Sequence, residues 1–185
     1  KVTVAKEVLR LLGSLRADAA FERLIAIDRE PKLHRDVRIA LMRALWEHLE
    51  RPEPWAIYER AVREGDWITA SRVGDVPANY LTAESDRKLS ALLAKVLERP
   101  DVEARLALLQ RAQTVAVTDP DRVMLRAIEA RLSSMYSDEV AAATQAILSR
   151  GRDADLGLVA GAFVALSVDR RAFGEAIRGL CALPI

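Results

Sequence analysis

The chain has 185 residues, enough for one ordinary domain with a substantial buried core. Half of it is apolar and 30% is charged, with a formal net charge of +1, which excludes an intrinsically disordered chain. The near-neutral balance, with Arg interleaved among Glu and Asp, also argues against a general phosphate-backbone binder, which carries a basic excess or stripe.

The palette of Ala, Leu and Arg forms helices, and punctuation divides the chain into about ten of them. The first covers Val2 to Ser14. The second runs from Ala17 to Arg29 and is ended by Pro31. The third spans His34 to Glu50 and stops before Pro52. The fourth starts at Pro54, a residue suited to the first helical position because its missing N–H costs nothing there, and ends near Gly65. A short helix is predicted from Trp67 to Val73, closed by Gly74, followed by an irregular loop through Pro77 to Leu81. The fifth long helix runs from Ala83 to Glu98, with Thr82 as cap and Pro100 beyond its end. The sixth covers Asp101 to about Val115. Asp119–Pro120 opens the seventh, pairing a capping carboxylate with proline at N1. Ser137 caps the eighth, whose first turn places Asp138 and Glu139 beside the positive end of the dipole. Asp153 opens the ninth and Asp169 the tenth. No stretch alternates with period two for long enough to predict a sheet.

Helices of this length with short joints lie antiparallel to their neighbours. In the third, Val37, Ala40, Leu41, Ala44, Leu45, His48 and Leu49 share one face, while Ile39, Met42 and Trp46 form a second stripe. A helix in a simple bundle needs one stripe; two stripes predict neighbours before and after it in a row, as in an α-solenoid. The same pattern occurs earlier at "VAKEVLRLLGSL", Val4 to Leu15.

"VRIALMRAL", Val37 to Leu45, preceded by "LIAID", Leu24 to Asp28, resembles a HEAT repeat. In that family each unit has an A helix, a turn and a B helix that begins near an Asp or Pro followed by Val-Arg. Asp36, Val37 and Arg38 match the start of B, and Ala40, Ala44 and Leu45 its packing positions. The specific signature is confined to residues 24–49; the other units match in pattern only. The resemblance implies an all-α right-handed superhelix of about five helical pairs. Its A helices begin near 17, 54, 101, 138 and 170, and the later B helices are Ala83 to Glu98, Asp121 to Ser134 and Ala154 to Ser167. Three gaps between A helices are 32 to 37 residues and one is 47, which predicts an insertion at 65–85 between helices. Loops of that length in compact arrays are often functional. The simpler reading is that Trp67, Val76 and Tyr80 cover a wider groove, since solenoids accept insertions cheaply.

Residues with catalytic chemistry are sparse. His34 and His48 lie about 21 Å apart along one helix at 1.5 Å per residue, too far to share a metal within it, and no Cys pair exists for zinc. Cys181 is the single cysteine. It cannot form an internal disulfide, fits a reducing cytoplasmic compartment, and sits among apolar residues with no nearby His. No G-x-S-x-G elbow or phosphate-binding loop is present, and "RGRDADLG" reads as a helix joint. Asp75, near Arg72 and Asp66, is indistinguishable from ordinary caps and surface charges. No catalytic, metal or cofactor-binding residue is therefore assigned and no small-molecule substrate is evident. The longest uncharged run, Leu156 to Val168, is shorter than the ~20 residues a membrane span needs. Arg outnumbers Lys 23 to 5, which points to a GC-rich, bacterial gene.

What the resemblance implies is surface. B helices in such arrays line the concave side, so Arg35, Arg38, Met42, Arg43 and Trp46 would face it. Arg87, Lys88 and Lys95, then Arg122, Arg126 and Glu129, would be their equivalents further along. Trp, Arg and Met are enriched at protein contacts; Arg35, Met42, Arg43 and Trp46 are the candidate contacts. Within the family Arg38 commonly braces its repeat through the preceding Asp. The expected function is a protein-binding or scaffolding module of a larger bacterial cytoplasmic protein, its partner another protein or neighbouring domains of the same chain. The apolar stretch at Leu156 to Val168 and the apolar end at Ile185 suggest that more repeats or a partner follow. The alternative is a HEAT-like DNA-binding protein or alkylated-base DNA glycosylase, for which Trp46, Trp55, Trp67 and Asp66 would supply aromatics and a carboxylate. Phosphate contact would require a basic concave stripe, which the sequence does not display.

Overall fold

The computed structural model describes residues 1–150 together with Asp155, Gly157, Val159, Ala160, Gly174, Ile177 and Arg178. The described residues contain helices and no strand. The α-helices are α1 Val2–Gly13, α2 Asp18–Asp28, α3 Arg35–Ala44, α4 Pro52–Glu64, α5 Trp67–Ser71, α6 Ala83–Leu97, α7 Val102–Leu109, α8 Val123–Glu129 and α9 Ser137–Arg150. Short 3-10 segments follow α3, α5, α7 and α8. The predicted openings at Asp153 and Asp169, most of the uncharged run and Cys181 lie outside the described residues.

Local chemistry explains where the helices begin and end. Thr82 and Ser85 form a reciprocal capping box at the start of α6. Asp66 caps α5 by accepting from Thr69 N–H at 2.9 Å. His34 caps α3, its Nδ1 accepting from Asp36 N–H at 3.2 Å. Pro52, rather than Pro54, opens α4. Asp119 does cap the helix after it, but Pro120 is not its first residue. Asp119 and Arg122 take left-handed backbone at φ 50° and 56°, and the chain loops before α8 starts at Val123. The Asp119 carboxylate then accepts from three consecutive N–H groups, those of Val123, Met124 and Leu125.

The third helix stops earlier than periodicity predicts. Its α portion ends at Ala44 and a 3-10 turn carries on from Trp46 to His48. Two carbonyls there are taken by side chains from α4: Tyr58 Oη donates to Met42 O at 2.9 Å and Trp55 Nε1 to Leu49 O at 2.8 Å. These aromatics add side-chain donors to carbonyls at the end of the helix and tie that end to α4.

Alternate helices pack in two rows. The first holds α1, α3, α5, α7 and α9, each against the next. In the second, α4 packs on α6 and α6 on α8, while Arg60 of α4 pairs with Asp28 at the end of α2. Helices of the first row begin at residues 2, 35, 67, 102 and 137, so successive starts are 32 to 35 residues apart. This changes the reading of residues 65–85. The five-residue α5 is itself a row member between α3 and α7, not an addition to the array. Ala70, Val73 and Val76 around it are buried. The sequence shows the short helix itself, predicted from Trp67 to Val73, but five residues carry too little pattern to show which helices it packs between. Counting it shifts the phase of everything that follows: α6 packs beside α4, not as the equivalent of α3.

A continuous apolar core runs through both rows, from Leu9 through Leu41, Tyr58, Leu93 and Met124 to Ile147. Polar bonds also run along each row, between residues 32 to 38 apart in sequence. On the amino-terminal side of the second row, Arg51 pairs with Asp18, Asp86 accepts from Thr118 N–H, Arg87 pairs with Asp121 and Arg122 with Asp155; partners are 32 to 34 residues apart. At the carboxyl ends, arginines reach back to free carbonyls. Arg99, after α6, donates to Val62 and Gly65 at the end of α4, 37 and 34 residues away. Arg150, at the end of α9, donates to Ala112, Val115 and Val117 beyond α7, 33 to 38 residues away. A guanidinium at this position satisfies orphan acceptors and opposes the negative end of the helix dipole. Arg38 makes no ion pair among the described residues, and Asp28 is held by Arg60, so the brace the resemblance implies is replaced by one from the next helix.

Candidate functional site

A concavity of about 730 Å³ lies between α1 and α3. Thr3, Lys6, Glu7 and Arg10 line it from α1, Arg43 from α3, and Trp46, Glu47 and Tyr80 close one end. The floor is made of small residues, Gly13, Ala40 and Ala44. Gly13 is required there: a Cβ at this position would stand 2.6 Å from the Ala44 carbonyl oxygen and 2.7 Å from its Cα, so only glycine lets the two backbones touch. Trp46 and Tyr80 form a tilted ring pair with centroids 5.8 Å apart.

The four candidate contact residues separate. Arg35 is exposed and lies 3.6 Å from Asp36. Arg43 is half exposed and lines the cleft, with Nη2 donating to Asp75 Oδ2 at 2.8 Å. Trp46 is half-buried and lines the cleft. Met42 is 2% exposed and belongs to the core, so its assignment to the surface is corrected. Met42 is taken up by packing because α3 lies between neighbours in its row as well as against α4, while Trp46 of the same stripe stays half-buried.

Sequence reasoning missed Asp75 as a junction. Its side chain is only 9% exposed yet meets three arginines: Arg43, Arg111, and Arg72 at 3.7 Å. Arg111 also donates to the Ser71 carbonyl. Burial by itself pushes the Asp75 carboxyl up, but hydrogen bonds from Arg111 and Arg43 outweigh it and hold it below its ordinary value. The signal was present as spacing, since Asp75 lies 32 residues after Arg43 and 36 before Arg111, about one period each way. Tyr80 and the cleft face of α1, Lys6 and Arg10 above all, were also missed. No local motif marks a residue that matters only because another helix stands opposite.

Other charges are spent inside the fold. Arg105 Nε donates to Glu139 Oε1 at 2.5 Å in a pair with 8% and 0% of the side chains exposed, and Ser134 Oγ donates to the same carboxylate. His48 is buried against Phe21 at 5.0 Å between centroids, and its Nε2 has no hydrogen-bond partner among the described residues. Asp66 is occupied by its cap, and the Trp55 indole by Leu49. Among the described residues no group of three or more His, Cys, Asp or Glu is placed to hold a metal ion, and no helix is long and apolar enough to cross a membrane. No family model, no curated protein and no solved structure matches this chain.

Proposed function

We propose that the chain is a protein-binding or scaffolding module, a HEAT-like α-solenoid that presents the α1–α3 cleft to a partner protein or to a neighbouring domain. The observation that carries this reading is the regular row, with helix starts 32 to 35 residues apart, ending in a cleft lined by Arg43, Trp46 and Tyr80. Stacked repeats make extended binding surfaces, and Arg, Trp and Tyr are the residues that dominate affinity at protein interfaces. Enzyme chemistry has less support, because the carboxylate and one indole offered for a glycosylase each have a structural partner. A nucleic-acid role is likewise weaker, since the arginines along the rows are largely engaged with carboxylates and carbonyls. We place the protein in a bacterial cytoplasm on the single-cysteine and Arg-rich composition.

The test is photo-crosslinking in cells, with benzoylphenylalanine at Ser14 on the cleft rim and, as control, at Glu59 on α4. The reading expects a discrete protein adduct from position 14 that weakens in a Trp46→Ala background and is absent from position 59. Equal adducts from both positions, none from either, or adducts to nucleic acid would overturn it.

A further inference from the structure

The α1–α3 cleft is lined by three cations, Lys6, Arg10 and Arg43, against two carboxylates, Glu7 and Glu47, in a chain that is nearly neutral overall, and Arg72 and Arg111 meet Arg43 at Asp75. Asp75 lies buried beneath its three arginines, whose side chains are 50%, 40% and 32% exposed for Arg43, Arg72 and Arg111. A partner approaching this surface meets guanidinium groups, while the counter-charge lies below them. Each guanidinium carries five N–H donors, and one carboxylate has roughly four lone-pair sites, so donors are left over. On the cleft rim both glutamates are taken, Glu7 by Arg10 at 2.6 Å and Glu47 by Arg16 at 3.1 Å. Lys6 is exposed and has no ion-pair partner among the described residues.

Resting on the protein-binding reading above, we propose that this cleft docks an acidic segment of a partner protein. Its carboxylates seat on Lys6 and Arg43, and an apolar or aromatic side chain lies on the small-residue floor against Trp46 and Tyr80. Planar carboxylates match guanidinium forks in bidentate geometry. The charge supplies orientation and a fast, salt-sensitive encounter, and the aromatic end supplies contact area. A nucleic-acid strand fits less well because the basic track is short. At the other end of the row, between α7 and α9, Arg150 is taken up by the carbonyls of Ala112, Val115 and Val117.

The experiment titrates the full chain with two fluorescent 12-residue peptides, one alternating Glu with Leu and Phe, the other its Lys-for-Glu counterpart. Binding is read by anisotropy at low and at physiological salt, in wild type, Lys6→Glu and Arg43→Gln. We expect the glutamate peptide to bind and the lysine peptide not to. Lys6→Glu and Arg43→Gln should each weaken binding by about tenfold, with a shallower salt dependence. Lys6→Glu is an exposed change with no partner to lose, so it tests the site even if Arg43→Gln alters the fold. Equal binding of both peptides, no binding of either, or affinities unchanged in folded variants would overturn the acidic partner. The crosslinking test reads the protein-binding role separately: a specific adduct from position 14 alongside failed peptide binding would retire the acidic partner and leave the broader reading standing.

Discussion

The α1–α3 and α7–α9 pairs are adjacent members of the same row, built at nearly the same spacing, yet they handle polar groups in opposite ways. Between α7 and α9 the charges point inward: Arg105 and Glu139 form a buried pair, and Arg150 serves three carbonyls. Between α1 and α3 the join is backbone against backbone at Gly13 and Ala44, and the charges stand on the rim, where Glu7 pairs with Arg10 of its own helix. Two neighbouring helices of one row can thus spend their arginines on holding the packing together or leave them on an exposed rim. A close small-residue contact is what permits the second choice, because packing then needs no polar bridge. The same region also exposes Val4, Val8, Leu11 and Leu15 on α1.

Breaking the inward-facing pair should have the largest effect. Glu139→Ala leaves Arg105 buried and unpaired, which costs about 3–5 kcal/mol. Urea denaturation should show a lower midpoint, and replacing Arg105 with Met in the same chain should recover much of it. Gly13→Ala attacks the other join by overpacking and should cost about 1–3 kcal/mol. Amide exchange should report the loss in α1 and α3 before α7 and α9. Arg43→Gln should change stability by less than about 1 kcal/mol, since the side chain is half exposed and Asp75 keeps Arg111 and Arg72. A thermal melt near that of wild type is the expected result, and a large drop would mean that the rim charge supports the fold.

Acid should separate the two regions by pH. Burial lowers the pKa of His48 below its ordinary 6.5, so the unfolded chain binds that proton more readily. The stability due to a neutral His48 is complete above about 6.5 and drains as pH falls towards the folded value. For Glu139, burial pushes the carboxyl up, but Arg105 and Ser134 outweigh it and the net direction is down from 4.5. Its contribution is present above 4.5 and is lost as pH falls through the lower folded value. Exchange measured across this range should loosen α2 and the end of α3 first and α7 with α9 only in stronger acid. His48→Phe should remove the first step and leave the second.

Read alone, the sequence determined the all-helical class, most helix positions, the caps at Thr82 and Asp119, and Arg43 and Trp46 as surface candidates. Those features depend on residues within a few positions of one another: periodicity, capping chemistry and proline all act over a turn or two. What tertiary structure decided was the row membership of α5, the end of α3 at Tyr58 and Trp55, the burial of Met42, and the gathering of three arginines on Asp75. Each of these depends on a partner in another element, for Asp75 on arginines 32 residues before it and 36 after it. The physical reason is that a short helix carries too little apolar periodicity to show which neighbours it packs against, and a charge shows its role only once the opposite helix has fixed its distance and its access to water.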